Sequence, residues 1–174
     1  LLQQVRGRIL VICPPILQEY WKESLLDFRV PAEVESLGKL ENIIRKGISK
    51  YDYVVVDEAH RFRNEATQSY ADLLDICRGK RVILVTATPL NNKIDDIFSQ
   101  LKLFQIPKKS TIPGVPNLIG FFNKLNKKLD DYKPRVYKDQ NGNVYRTKEE
   151  EIAYKAALKE VSNEIRDKVL KHVM

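Results

Sequence analysis

Four short strand candidates, three of them apolar runs, each too brief for a helix and each separated from the next by a helical periodicity, constrain the fold of this chain most. They lie at Arg8–Cys13 (RILVIC), Pro31–Leu37 (PAEVESL), Tyr53–Val56 (YVVV) and Lys80–Thr86 (KRVILVT). An unbroken β-branched run, as opposed to an apolar-polar alternation, marks a strand covered on both faces. Between the runs, Leu17, Trp21, Leu25 and Phe28 recur at helical spacing, followed by Leu40, Ile43, Ile44 and Ile48 around a stop near Gly47. Tyr70, Leu73, Leu74 and Cys77 form a third such set, stopped by Gly79, and Ile94, Ile97, Phe98, Leu101 and Phe104 a fourth, with Asn91 or Asn92 as its cap. This β-α-β-α-β-α-β-α order predicts an α/β fold with a mostly parallel sheet flanked by helices. The core strands are expected to contain Leu10, Val34, Val55 and Leu84.

The sheet reading ends near residue 106. Ile106–Asn117 holds three prolines, a glycine and two lysines and reads as a connection. Leu118, Phe121, Phe122, Leu125 and Leu129 then mark an amphipathic helix, and Asn141-Gly142 between two Val/Tyr pairs marks a β-hairpin. Thr147 with Glu150 makes a capping box that opens a long helix carrying Leu158, Val161, Ile165, Val169 and Val173. The expected division is therefore a lobe over residues 1–106 and a helical and hairpin extension of the same lobe over residues 107–174.

Two strand ends carry chemistry. Tyr53–Val56 runs into Asp57-Glu58-Ala59-His60, and Val82–Val85 runs into Thr86-Ala87-Thr88-Pro89. In an open α/β sheet, ligands collect outside the carboxyl ends of the strands. Of two adjacent carboxylates placed there, one can hold Mg²⁺ through its waters while the next orients or deprotonates an attacking water. Taken alone, Asp57-Glu58 also reads as an exposed acidic turn, and the threonines as a Thr-rich turn closed by a proline.

Together, DEAH at 57–60 and TAT-Pro at 86–89 resemble motifs II and III of superfamily 2 helicases and translocases. Pro14-Pro15-Ile16-Leu17 with Trp21, Arg61-Phe62-Arg63-Asn64 and Leu90-Asn91-Asn92 are similar to the Swi/Snf-like branch. The resemblance covers about residues 8–105 and implies the first RecA-like lobe of an ATP-dependent DNA translocase or helicase. It implies that Asp57 is the metal carboxylate and Glu58 the residue that activates water. His60 relays the nucleotide state to Thr86 and Thr88, and Pro14 and Pro15 meet the nucleic-acid backbone. Arg61 and Arg63 are read either as phosphate or second-lobe contacts or as two exposed loop arginines, and His60 by itself as a surface histidine. The cofactors implied are ATP and Mg²⁺. The partners implied are nucleic acid, double-stranded DNA in the first instance, and a second RecA-like lobe of the same chain. Trp21 is read as a packing anchor between the first helix and the sheet.

One family feature is missing. No G-x-x-x-x-G-K-[ST] occurs in the sequence, and Gly7 is the only glycine before residue 38. The expectation is an excised part of a longer ATPase, most of lobe 1 without motif I. Two rivals stand beside it: a non-catalytic nucleic-acid or protein-binding module on a degenerate ATPase fold, and the motor subunit of a restriction system.

Composition narrows the class further. A hydrophobic fraction of 43% and a charged fraction of 30% over 174 residues are those of a soluble globular domain. No apolar run approaches the roughly 20 residues needed to span a bilayer, and the first residues lack the basic start and apolar stretch of a signal peptide. Cys13 and Cys77 stand in no metal-ligand spacing and read as small buried hydrophobes of a reducing, cytoplasmic protein. Net charge is +7 and uneven: residues 1–106 hold 15 basic and 14 acidic residues, residues 107–174 hold 15 and 9. That excess suits a phosphate-backbone partner.

Overall fold

A computed structural model of the chain describes residues 2–4, 6–86, 94–138 and 144–173. The expected cap at Asn91 or Asn92, the turn at Asn141-Gly142 and the second threonine, Thr88, lie outside the described residues. The chain divides into two compact units, Leu1–Phe104 and Gln105–Met174.

The first unit is built on four strands: β1 (Ile9–Cys13), β2 (Ala32–Ser36), β3 (Tyr53–Val56) and β4 (Arg81–Leu84). All pair in parallel, in the order β2-β1-β3-β4. The four predicted core residues sit in these four strands, and Val11 lies level with both Val34 and Val55. β1 and β3 are central and buried along their whole length, which explains their unbroken β-branched sequences.

The helices are α1 (Gln18–Asp27), α2 (Leu40–Arg45), α3 (Gln68–Cys77) and α4 (Ile94–Lys102). Strand side chains alternate between the two faces. Leu10, Ile12, Val54 and Val56 share one core with Leu40 and Ile43 of α2 and Leu73 and Ile76 of α3. Ile9, Val11, Tyr53 and Val55 share the other with Trp21 and Leu25 of α1. Both cores are dominated by aliphatic side chains. A large side chain fully buried in either is worth roughly 1.5–3 kcal/mol of transfer free energy.

Local chemistry sets the ends. Thr67 caps α3 by accepting from the Tyr70 N–H at 3.3 Å, and Gly79, at φ 70, turns the chain towards β4. Gly7, at φ 144, leads into β1, where an added Cβ would come within 2.8 Å of Asp52 Oδ2. α1 is shorter than its periodicity suggests. It closes on Arg29 in the left-handed region at φ 52, with Val30 N–H donating to Leu25 C=O at 2.8 Å. Phe28, expected on the buried face, is 63% exposed as a result.

The second unit holds α5 (Leu118–Asp130), the antiparallel pair β5 (Tyr137–Lys138) and β6 (Val144–Tyr145), and α6 (Lys148–Lys168). Leu118, Phe122, Leu125 and Leu129 of α5 are buried, as are Ala157, Val161 and Ile165 of α6. Thr147 caps α6, accepting from Glu150 N–H at 3.3 Å. The expected capping box closes differently on its other side: Glu150 Oε1 accepts from the Tyr137 hydroxyl of β5 at 3.0 Å. Among the described residues no helix is long and apolar enough to cross a membrane.

Candidate functional site

The site is assembled where β3 ends. Hydrogen bonds to both neighbouring strands hold its backbone: Asp57 N–H donates to Ile12 C=O of β1 at 2.8 Å, and Ala59 N–H donates to Val85 C=O, next after β4, at 3.0 Å. Val85 N–H returns a bond to Val56 C=O at 2.8 Å. The acidic pair is thus clamped between β1 and β4.

Glu58 takes the left-handed conformation, φ 53 and ψ 42. For a residue with a Cβ this costs about 1–2 kcal/mol, and such outliers concentrate at functional positions. The four residues after it hold the turn. Ala59 is fully buried, Phe62 is 4% exposed within the α2–α3 core, and Ala59–Phe62 forms a single 3-10 turn. Phe62 is the anchor that periodicity did not single out.

The carboxylates differ. Asp57 accepts at both oxygens: Oδ1 from Glu58 N–H at 2.8 Å and Oδ2 from the indole Nε1–H of Trp21 at 2.8 Å. Trp21 is the packing anchor expected of it and also a donor, a second role that the sequence did not signal. Glu58 Oε2 is buried without a hydrogen-bond partner, although His60 Nδ1 stands 2.9 Å from it at ion-pair range. The same Nδ1 lies 3.5 Å from Thr86 Oγ1. Glu58, His60 and Thr86 therefore form one contact chain from the end of β3 to the end of β4.

The other expected site residues stand apart. Arg61 and Arg63 are exposed, and neither is bonded to the carboxylates. Pro14 is buried while Pro15 is exposed, so of the pair only Pro15 presents a surface. Cys13, at the end of β1, has its thiol pushed up to about 11, first by burial and then by the charge of Asp57. It is no nucleophile.

A metal ion at this place has one oriented carboxylate to meet. Mg²⁺ bound with a nucleotide keeps several waters and takes only one or two carboxylates, and Asp57, fixed from two sides with lone pairs to spare, suits that demand. Among the described residues no group of three or more His, Cys, Asp or Glu could hold a metal by itself.

A parallel sheet ordered β2-β1-β3-β4, with an acidic pair and a threonine at adjoining C-terminal strand ends, defines a RecA-like α/β lobe. Residues 32–113 match the family model described as the SNF2-related domain, the branch that the motifs resemble. It is 29% identical over 122 residues to the Bacillus subtilis protein called uncharacterized ATP-dependent helicase YqhH, covering 58% of this chain and 22% of that protein. It is 44% identical over 61 residues to a Drosophila melanogaster homolog of the SWI/SNF-related regulator of chromatin subfamily A containing DEAD/H box 1, covering 35% of this chain and 7% of that protein. The chain thus spans less than a quarter of either relative. Among solved structures, the SWI2/SNF2 ATPase core of Sulfolobus solfataricus in complex with double-stranded DNA matches with a TM-score of 0.53 at 20% identity, over 89% of this chain and 33% of that one. At that identity the likeness is one of fold.

Proposed function

We propose that this chain supplies the hydrolytic side of the first RecA-like lobe of an ATP-dependent DNA translocase or helicase, and takes its phosphate cradle from elsewhere in the protein. The observation that carries the proposal is Glu58: a strained carboxylate whose buried Oε2 stands 2.9 Å from His60 Nδ1, which in turn lies 3.5 Å from the Thr86 hydroxyl just past β4. A base that takes a proton from water needs a free acceptor lone pair, and Glu58, with only Oε2 facing His60, has Oε1 for that. Asp57 is the carboxylate that meets Mg²⁺. When bound, the ion neutralises charge on the phosphoryl oxygens.

His60 is the link. A single ring nitrogen faces both Glu58 and Thr86 and cannot serve both in one tautomer. With a proton on Nδ1 it faces the carboxylate. With a lone pair there it accepts from the Thr86 hydroxyl. A change of charge at Glu58 therefore moves the hydrogen bond at Thr86. Exposed Pro15, Arg61 and Arg63 form the surface for a DNA backbone, with the basic second unit adding long-range attraction.

The test is steady-state ATP hydrolysis by the natural protein with and without duplex DNA, beside its Asp57→Asn variant. The expected result is DNA-stimulated hydrolysis that Asp57→Asn weakens while raising the Mg²⁺ requirement. If the natural protein binds DNA and hydrolyses no ATP, the chain belongs to a non-catalytic module.

A further inference from the structure

The bond from Trp21 to Asp57 joins residues 36 positions apart, one on α1 and one at the end of β3. Packing does not require it. Trp21 is only half-buried against the Ile9–Val11 and Tyr53–Val55 face. Its N–H ends on a carboxylate oxygen at 2.8 Å, and a hydrogen bond to an ionised acceptor is roughly twice as strong as a neutral one. The indole is a donor only, so it can do nothing to Asp57 except hold it as an acceptor. With Glu58 N–H on the other oxygen, the plane of the carboxylate is fixed, and only its remaining lone pairs are left for a cation's waters.

We infer that Trp21 is a positioning residue for Asp57: it sets the carboxylate's orientation towards a divalent cation and ties α1 to the end of β3. This rests on the reading of Asp57 as the metal carboxylate. The helix it sits on is preceded by the 3-10 turn Pro15–Leu17, where Pro15 and Ile16 are exposed, Ile16 at 88%. Trp21 thus stands in the first turn of α1, beside that open surface, and a shift of the start of the helix pulls on Asp57 directly. Partners behind a metal ligand are worth about 10–100-fold in metal affinity or activity.

Trp21 is the only tryptophan in the chain, so its indole N–H gives one resonance in a proton–nitrogen correlation spectrum of the 174-residue chain, with no nucleotide present. We expect this resonance to be downfield and slow to exchange, and to lose both properties in Asp57→Ala. If Asp57→Ala fails to fold, the near-isosteric Asp57→Asn gives the same reading as a smaller upfield shift. MgCl₂ at matched ionic strength should move the resonance in the wild type and leave it in place in the variant. An indole resonance identical in wild type and variant, or one that Mg²⁺ moves equally in both, overturns the inference. The second arm is Trp21→Phe in the natural protein, which keeps an aromatic ring and removes the N–H. The Mg²⁺ concentration giving half-maximal hydrolysis should rise about 10-fold, with the rate at saturating Mg²⁺ little changed. A lowered melting temperature with an unmoved Mg²⁺ midpoint would mean that Trp21 only packs. Absence of hydrolysis in the wild type would count against the hydrolytic reading alone, and the indole resonance would still decide the bond.

Discussion

Glu33 and Glu58 lie on the rims of one sheet. Glu33, on edge strand β2, is surrounded by donors. Lys50 Nζ stands 2.9 and 3.0 Å from its two oxygens, and the Tyr51 hydroxyl donates to Oε2 at 2.5 Å. Its backbone is ordinary strand. Its carboxyl is held below the usual value, by the Tyr51 hydroxyl first and by Lys50 next. Glu58 sits in a left-handed conformation with Oε2 buried beside His60 Nδ1, and shares that histidine with Thr86 just past β4. An ionic cluster that serves the fold uses up its acceptors. On the proposed reading Glu58 must also keep an acceptor for a proton; a buried unbonded oxygen does not by itself mark such a site, since Glu150 Oε2 has the same standing. The two glutamates differ in backbone conformation and partners more clearly than in exposure, since the Glu58 side chain is 34% exposed and that of Glu33 51%.

The largest effect that tests this contrast is on turnover. Glu58→Gln keeps the shape and removes the base. Hydrolysis by the natural protein should fall by about 10²–10⁴-fold, the usual worth of a general base, while nucleotide binding stays nearly intact. Glu33→Gln should leave turnover unchanged. Steady-state rates for the two variants in parallel check both halves. Wild-type hydrolysis in Glu58→Gln would make Glu58 another structural carboxylate and remove the contrast.

The second effect has the opposite sign. Glycine at position 58 releases the left-handed strain of about 1–2 kcal/mol, against roughly 0.5–1 kcal/mol for glycine's extra freedom in the unfolded chain. Glu58→Gly should therefore fold as well as the wild type or better, by about 0.5 kcal/mol in urea denaturation, and be inactive. A clear loss of stability would show that the Glu58 side chain supports the fold after all.

The parallel sheet was legible in the sequence because its signal is local. Val54, Val55 and Val56 announce a strand without help from any neighbour, and Gly79 announces a turn. The motifs were legible too, since DEAH and the first threonine follow their strands directly. What escaped was long-range or conformational. The Trp21–Asp57 bond depends on where α1 lies over the sheet. Phe28 read as buried because its spacing is helical, but the helix ends one residue earlier and the chain turns on a left-handed arginine. Nothing in the residue type of Glu58 signals a positive φ, which glycine or asparagine would have done. Of the proline pair, only the fold decides that Pro14 goes inside.

The smallest effect is one of pH, and it belongs to Glu33. A carboxyl whose folded value is lowered binds its proton less readily in the native state than in the unfolded chain. Its contribution to stability is therefore full above its ordinary value of 4.5 and is lost as pH falls below it towards the lowered folded value. The side chain is half exposed and its partner Lys50 is open to solvent on one side, with 32% of that side chain accessible, so screening keeps the contribution small. The informative quantity is the difference in urea midpoint between wild type and Glu33→Gln, which cancels every other titrating group. At about pH 7 the wild type should have the higher midpoint, and at about pH 3 the two should converge. Added salt at neutral pH should narrow the gap in the same direction, because Lys50 and Glu33 attract through a screened surface. A gap that persists at low pH would mean that the protonated Glu33 carboxyl keeps an advantage over the amide in its bond to the Tyr51 hydroxyl. Glu33 would then act by shape and hydrogen bonding, with charge irrelevant, and the saturated-cluster side of the comparison would need no ionisation at all.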